Sequence, residues 1–175
     1  MYVVELWEPR GATEREIAML GRVLHACVHA GASVSFILPF TIDEACAFWR
    51  DKVLPGALSG ERKVLVAKVG GEIVGTVQLI LDTPPNQSHR ADIAKLLVHP
   101  EHRRLGIARA LMLAVEEQAR GAGRSLLTLD TLTGSAAEDL YNSLGYSMLG
   151  VIPRYSRATH STELEAATFY YKQLA

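Results

Sequence analysis

The sequence predicts an α/β fold, a mixed sheet with helices on its faces, and three observations carry that prediction. Lys63 to Val69 and Glu72 to Leu81 are strand-like runs on either side of Gly70-Gly71, the pattern of a tight hairpin. Ala91 to Met112 reads as a strand that passes through a glycine-bearing turn directly into an amphipathic helix. Three Ser/Thr-x-x-Glu boxes, at Thr13, Thr41 and Ser135, mark helix starts between strand-like segments. Over 175 residues this alternation predicts one layer-packed domain spanning residues 1–175.

Val3 to Trp7 is a short strand, and Thr13-x-x-Glu16 then caps a helix running to about Ala30. Its apolar face is Ile17, Leu20, Leu24, Cys27 and Val28. His25 and His29 lie four apart on it, a spacing that metal sites use. No third ligand has matching spacing, so no metal is expected. Gly31 to Phe40 breaks the helix. Thr41-x-x-Glu44 opens a second helix with Ala45, Phe48, Trp49 and Val53 on one side, and Pro55 is expected to close it. These two helices and the small-residue loop between them read either as the wall of an acceptor site or as packing.

After the hairpin, Asp82 to His89 is a loop by its prolines and asparagine. In the strand that follows, Asp92, Ala94, Leu96 and Val98 are expected on one face and Ala91, Ile93, Lys95 and Leu97 on the other. The next helix carries Ile107, Leu111 and Val115 as its stripe and ends at Gly121. Leu126 to Thr131 is a strand, and strand, helix, strand of these lengths predicts a parallel pair with a right-handed crossover. Ser135-x-x-Glu138 begins the last helix, striped by Ala137, Leu140, Tyr141 and Leu144 and stopped by Gly145. Tyr146 to Ile152 and Glu165 to Lys172 close the sheet.

Charge excludes more than it suggests. Eighteen Lys and Arg against nineteen Asp and Glu leave a formal net charge of −1, so no nucleic-acid partner is expected. No apolar run is long enough to span a bilayer, and Met1 to Glu5 lacks the basic and apolar zones of a signal peptide; the expected location is the cytoplasm. Cys27 and Cys46 each fall on the apolar stripe of a helix, where a reduced thiol packs as a small hydrophobe, and no disulfide is expected.

The arginines are local rather than spread. Arg103, Arg104 and Arg109 surround the turn Arg103-Arg104-Leu105-Gly106-Ile107-Ala108, where the helix begins. The first turn of a helix leaves backbone N–H groups without intrahelical partners and adds partial positive charge. Gly106 and Ala108 are small enough to let a bulky anion reach those donors, so the corner suits a diphosphate or is an ordinary tight connection.

Val98-x-Pro100 followed by Arg103-x-x-Gly106-x-Ala108 resembles the acyl-CoA signature of the GNAT superfamily of N-acetyltransferases. The order of elements is similar to that fold over nearly the whole chain, and Tyr141-x-x-x-Gly145-Tyr146 resembles its penultimate motif. Within the superfamily, GASVSF, RADIAKLLVHP, LLTLDTLTGSAAEDLY and FYYK are most similar to the tabtoxin-resistance branch, whose acceptor is a β-lactam amino acid toxin. The resemblance implies a sheet whose central parallel strands splay apart, acetyl-CoA as cosubstrate, and a coenzyme A site along Leu96, Leu97, Val98, Arg103, Arg104, Leu105, Gly106, Ile107, Ala108 and Arg109. Many relatives carry asparagine where this chain has Gly134 and Ser135. Ser135 therefore either takes over a coenzyme A contact or only caps its helix.

Amide formation from a thioester needs an unprotonated amine, a place for charge on the carbonyl oxygen and a proton for the leaving thiolate. By family analogy the backbone N–H of Leu96 holds the oxygen and Val98 meets the pantetheine amide. Tyr141 is the proposed acid, with core packing as its other reading. Asp92 reads as a general base or as a local ion pair with Arg90, and Asp130 as a second base, an amine-binding anion or a turn anchor. The leading expectation is an acetyl-CoA-dependent N-acetyltransferase for a small amine, an amino acid-like metabolite or antibiotic. A protein N-terminal or lysine acetyltransferase and a non-catalytic acyl-CoA sensor are the alternatives, and a homodimer stays open.

Overall fold

The computed structural model describes residues 1–174. Its strands are β1 (Val3–Leu6), β2 (Arg62–Val69), β3 (Glu72–Ile80), β4 (Arg90–Val98), β5 (Leu126–Leu132), β6 (Ser147–Arg157) and β7 (Leu164–Gln173). They form one sheet in the order β1-β2-β3-β4-β5-β7-β6, with β4 and β5 parallel and every other pair antiparallel. The helices are α1 (Glu14–His29), α2 (Ile42–Ala47), α3 (Leu54–Ser59), α4 (Ile107–Gly121) and α5 (Ala136–Ser143). This is the mixed α/β sheet that the hairpin and the strand–turn–helix run predict.

Two apolar layers hold the helices to opposite faces. Val64, Val66 and Ile73 pack against α1 through Leu20 and Leu24 and against the turn that follows α2 through Trp49. Leu65, Val77, Leu79, Ala91 and Ile93 pack against α4 through Ile107, Leu111 and Val115. Because β2 and β3 are covered on both sides, they read as nearly continuous apolar runs rather than a clean alternation. Among the described residues, no helix is long and apolar enough to cross a membrane.

The boxes at Thr13 and Thr41 form as full capping boxes, each hydroxyl accepting from the N3 backbone and each N3 glutamate from the cap N–H. The third does not form. Ser135 occupies the N-cap of α5 but makes no capping hydrogen bond, and its hydroxyl lies 3.2 Å from Thr131 Oγ1 instead. Pro55 does not close its helix either. A wide π turn over Phe48–Val53 joins α2 to α3, and Pro55 sits in the first turn of α3, where a missing N–H costs nothing.

Both cysteines are free. Cys46 packs on Gly21 so closely that a Cβ there would come within 2.5 Å of its sulfur, which is why α1 needs glycine at that point.

Candidate active site

The parallel pair of strands is short. Arg90, Ala91 and Asp92 face Leu126, Leu127 and Thr128, and beyond that point β4 and β5 are no longer hydrogen-bonded. On its other edge β4 is bulged: Gln78 faces Ala94 and Thr76 faces Leu97, so β4 advances three residues while β3 advances two. Lys95, at φ 53°, sits within this bulge. The expected strict alternation along β4 therefore fails. Ala91 and Ile93 pack on the α4 side, but after the bulge Leu97 packs on the α1 side, while Leu96 and Val98 turn towards α4.

The parting of the strands opens a cleft of about 880 Å³. Leu96, Leu97 and Val98 form one wall, and the start of α4 forms the floor with Arg103, Arg104, Gly106, Ile107, Ala108 and Arg109. Asp130, Ser135 and Tyr141 line the opposite wall. Two residues singled out in the sequence stand apart. Leu105 is exposed and does not line the cleft, and neither does Asp92. The Asp92 carboxylate accepts from the Arg90 guanidinium and from Thr128 Oγ1, where β4 and β5 are still paired. Both of its partners are structural.

At the α4 corner Gly106 takes the left-handed conformation, φ 81°, as the N-cap, and a Cβ there would meet the Tyr2 hydroxyl at 3.3 Å. The amides of Ile107, Ala108 and Arg109 open the helix, where intrahelical acceptors are missing. Arg103 Nε donates to the Val98 carbonyl at 3.3 Å, and Arg109 donates to Ser143 Oγ at 2.6 Å. The guanidinium groups are thus tethered at the cleft rim. A diphosphate fits the donor chemistry of this corner.

Tyr141 is 5% exposed, with ring centroids 5.9 Å from Tyr146 and 5.7 Å from Tyr170. Burial, and then the nearby Asp130 charge, push its phenol well above the usual range, so it stays protonated. Asp130 is itself pushed up, by desolvation first and then by Asp92, with Lys95 opposing. Its side chain is exposed to water.

Sequence reasoning passed over two features of the site, Lys95 and the cleft-edge position of Cys27. Lys95 lines the cleft because the bulge takes it out of the ladder, which period-2 reading cannot foresee. The small-residue loop after α1, read from the sequence as a site wall or as packing, lines the cleft over Ala30–Ser35. Cys27, read as core, lies at the cleft edge with its thiol donating to the Val98 carbonyl at 3.3 Å, and burial pushes that thiol up.

Comparison with known proteins agrees with this geometry. Residues 35–146 match the family model described as the acetyltransferase (GNAT) family. An uncharacterized N-acetyltransferase from the hisH-hisA intergenic region of Azospirillum brasilense is 34% identical over 106 residues, 59% of this chain and 60% of that one. N-acetyltransferase 8 of Rattus norvegicus is 39% identical over 87 residues, 49% of this chain and 39% of that one. The matched part thus spans less than two thirds of either relative. Among solved structures, a putative acetyltransferase of Salmonella typhimurium with its cofactor acetyl-CoA superposes with a TM-score of 0.78 at 19% identity, covering 99% of this chain and 94% of that one. The two share the fold described above, a mixed sheet with helices on its faces. The chain belongs to the acetyltransferase (GNAT) family.

Proposed function

We propose that the chain is an acetyl-CoA-dependent N-acetyltransferase acting on a small amine. One observation carries this reading: a single cleft runs from the helix corner at Gly106, between parted strands, to a carboxylate and a protonated phenol. Arg103, Arg104 and the opening amides of α4 bind the diphosphate of the cosubstrate, which supplies the activated acetyl group. The backbone of Leu96 donates to the carbonyl oxygen as charge develops there. Asp130, directly or through one water, takes the proton of the attacking amine. As the new C–N bond forms and the C–S bond breaks, Tyr141 gives its proton to the departing thiolate and is reprotonated from solvent.

Asp92 is left out of this scheme because Arg90 and Thr128 already hold it. Ser135, whose hydroxyl caps nothing, is assigned to the cosubstrate side of the cleft. The narrower resemblance to the tabtoxin-resistance branch puts a β-lactam amino acid in the acceptor panel, and with it a role in antibiotic resistance.

The test is direct. Calorimetry with acetyl-CoA should show saturable binding, and thiol release should then appear on a panel of small amines. Binding without release on amines or peptides would leave only an acyl-CoA sensor.

A homodimer is proposed through β6. It is one of the two edge strands, and Met148, Leu149, Val151 and Ile152 are exposed on it, with Leu149 at 74%. An apolar edge with unpaired backbone groups is an aggregation hazard unless covered, and a second copy of the same strand covers it about a two-fold axis. Leu149→Lys should then yield a monomer by light scattering.

A further inference from the structure

The cleft holds a cation for which the acetyl-transfer steps have no use. Lys95 Nζ donates to Ser35 Oγ at 3.1 Å and lies 5.8 Å from the Phe36 ring centroid and 5.9 Å from that of Phe48. Among the described residues no carboxylate oxygen comes within 4.0 Å of it. The charged groups that face it are Asp130 across the cleft and Arg62 from β2, the latter hydrogen-bonded to Gln78. Desolvation holds the Lys95 ammonium below the usual lysine range, and Asp130 only partly restores it.

The backbone here is also unfavourable. Lys95 and its hydrogen-bond partner Ser35 both occupy the left-handed region, at φ 53° and 77°. Neither residue is glycine or asparagine, and each such conformation costs roughly 1–2 kcal/mol. Two strained residues therefore meet at one point, on the lining of the cleft, to hold an ammonium that has no counterion. Strain of this kind persists where the surroundings over-determine it, and it concentrates at ligand sites. The two phenyl faces fix the ammonium without neutralising it. Ser35 accepts from Lys95, so its own O–H remains free to donate.

We propose that Lys95 is the specificity residue of the acceptor subsite and reads a carboxylate on the amine substrate. The acceptor is accordingly amino acid-like: its carboxylate lies on Lys95 Nζ and the Ser35 hydroxyl, and its amine lies towards Asp130. Opposite charges placed across one subsite orient a zwitterion and select against an amine with no acid group. This inference rests on the acetyl-transfer reading and adds the substrate class to it.

The experiment uses the full chain with acetyl-CoA, following thiol release on matched acceptors: free amino acids, their methyl esters, their decarboxylated amines and phosphorylated amines of similar length. Wild type should prefer the free acid by on the order of 10²-fold in kcat/KM, most of it in KM. Lys95→Met and Lys95→Asn should each reduce that preference to within about threefold. Asparagine tolerates the left-handed backbone, so Lys95→Asn keeps the fold if methionine does not. Lys95→Arg should retain a clear preference for the acid, since arginine stays cationic. Lys95→Glu should turn the preference towards the decarboxylated amine. Turnover by wild type with no preference for the acid, a preference for the phosphorylated amine, or an equal loss on acid and amine in Lys95→Asn would overturn the proposal and leave the transferase reading standing. No turnover on any acceptor would overturn both.

Discussion

The two halves of β4 place similar charges under opposite rules. In the first half, Asp92 is paired with β3 on one side and β5 on the other and Arg90 is paired with β5, and each charge meets the other together with Thr128. In the second half, Lys95 sits in a bulge beside strands that have parted, and it faces Asp130 across open space without an ion pair. The closed half spends its polar groups on itself. The open half leaves them on the lining of the cleft. A charge is thus assigned to structure or to chemistry by whether the ladder around it is complete, not by the residue type.

Variants sharpen this contrast. The largest effect is expected at the open end, where Gly106→Glu puts a side chain and a negative charge into the corner proposed for the diphosphate, against a left-handed backbone. Acetyl-CoA affinity should fall by about 10³-fold in calorimetry, roughly 4 kcal/mol; retained binding would move the anion site elsewhere. Next, Asp130→Asn should lower kcat by roughly 10²–10³-fold, while Asp92→Asn leaves kcat within about threefold. An equal loss in both would erase the distinction between the two halves. Tyr141→Phe should lower kcat by about 10²-fold with little change in acetyl-CoA binding, and an unchanged kcat would remove its acid role.

Stability should show the reverse order. Asp92→Asn removes the anion that pairs Arg90 in a half-buried position, so denaturant unfolding should report a loss of about 1–2 kcal/mol. Asp130→Asn should do the opposite. The Asp130 carboxyl is pushed up in the folded chain, so the fold resists an ionisation that the unfolded chain permits. The penalty is absent at pH values below the ordinary aspartate range, grows as pH rises through it, and is complete above the raised folded value. The variant's gain in Tm should therefore appear at neutral pH and vanish in acid.

A second contrast, between the helix boxes, shows where sequence reading has physical grip. Thr13 and Thr41 cap as their spacing says, each N3 glutamate reaching back to the cap N–H. Ser135 and Glu138 have the same spacing, yet the Glu138 side chain has an oxygen buried without a hydrogen-bond partner, and Ser135 turns to Thr131. Neighbouring strands, absent from any local pattern, decide that outcome. Pro55 teaches the same lesson: a wide turn before it absorbs what the proline cannot donate.

The chain by itself determined the hairpin, the stripe of α4, the two exposed caps and the arginine-bordered turn, because each is set by residues within a few positions of one another. Those local rules were enough to read the sheet and the glycine-bearing turn at Gly106. Tertiary structure alone decided that Asp92 would be tied to Arg90 and Thr128 and that the faces of β4 would exchange at Lys95. It alone brought Lys95, Ser35 and Asp130 to one cleft. Those outcomes depend on a bulge and on two strands parting, and both are settled by packing against β3, α1 and α4 rather than by the period of the strand.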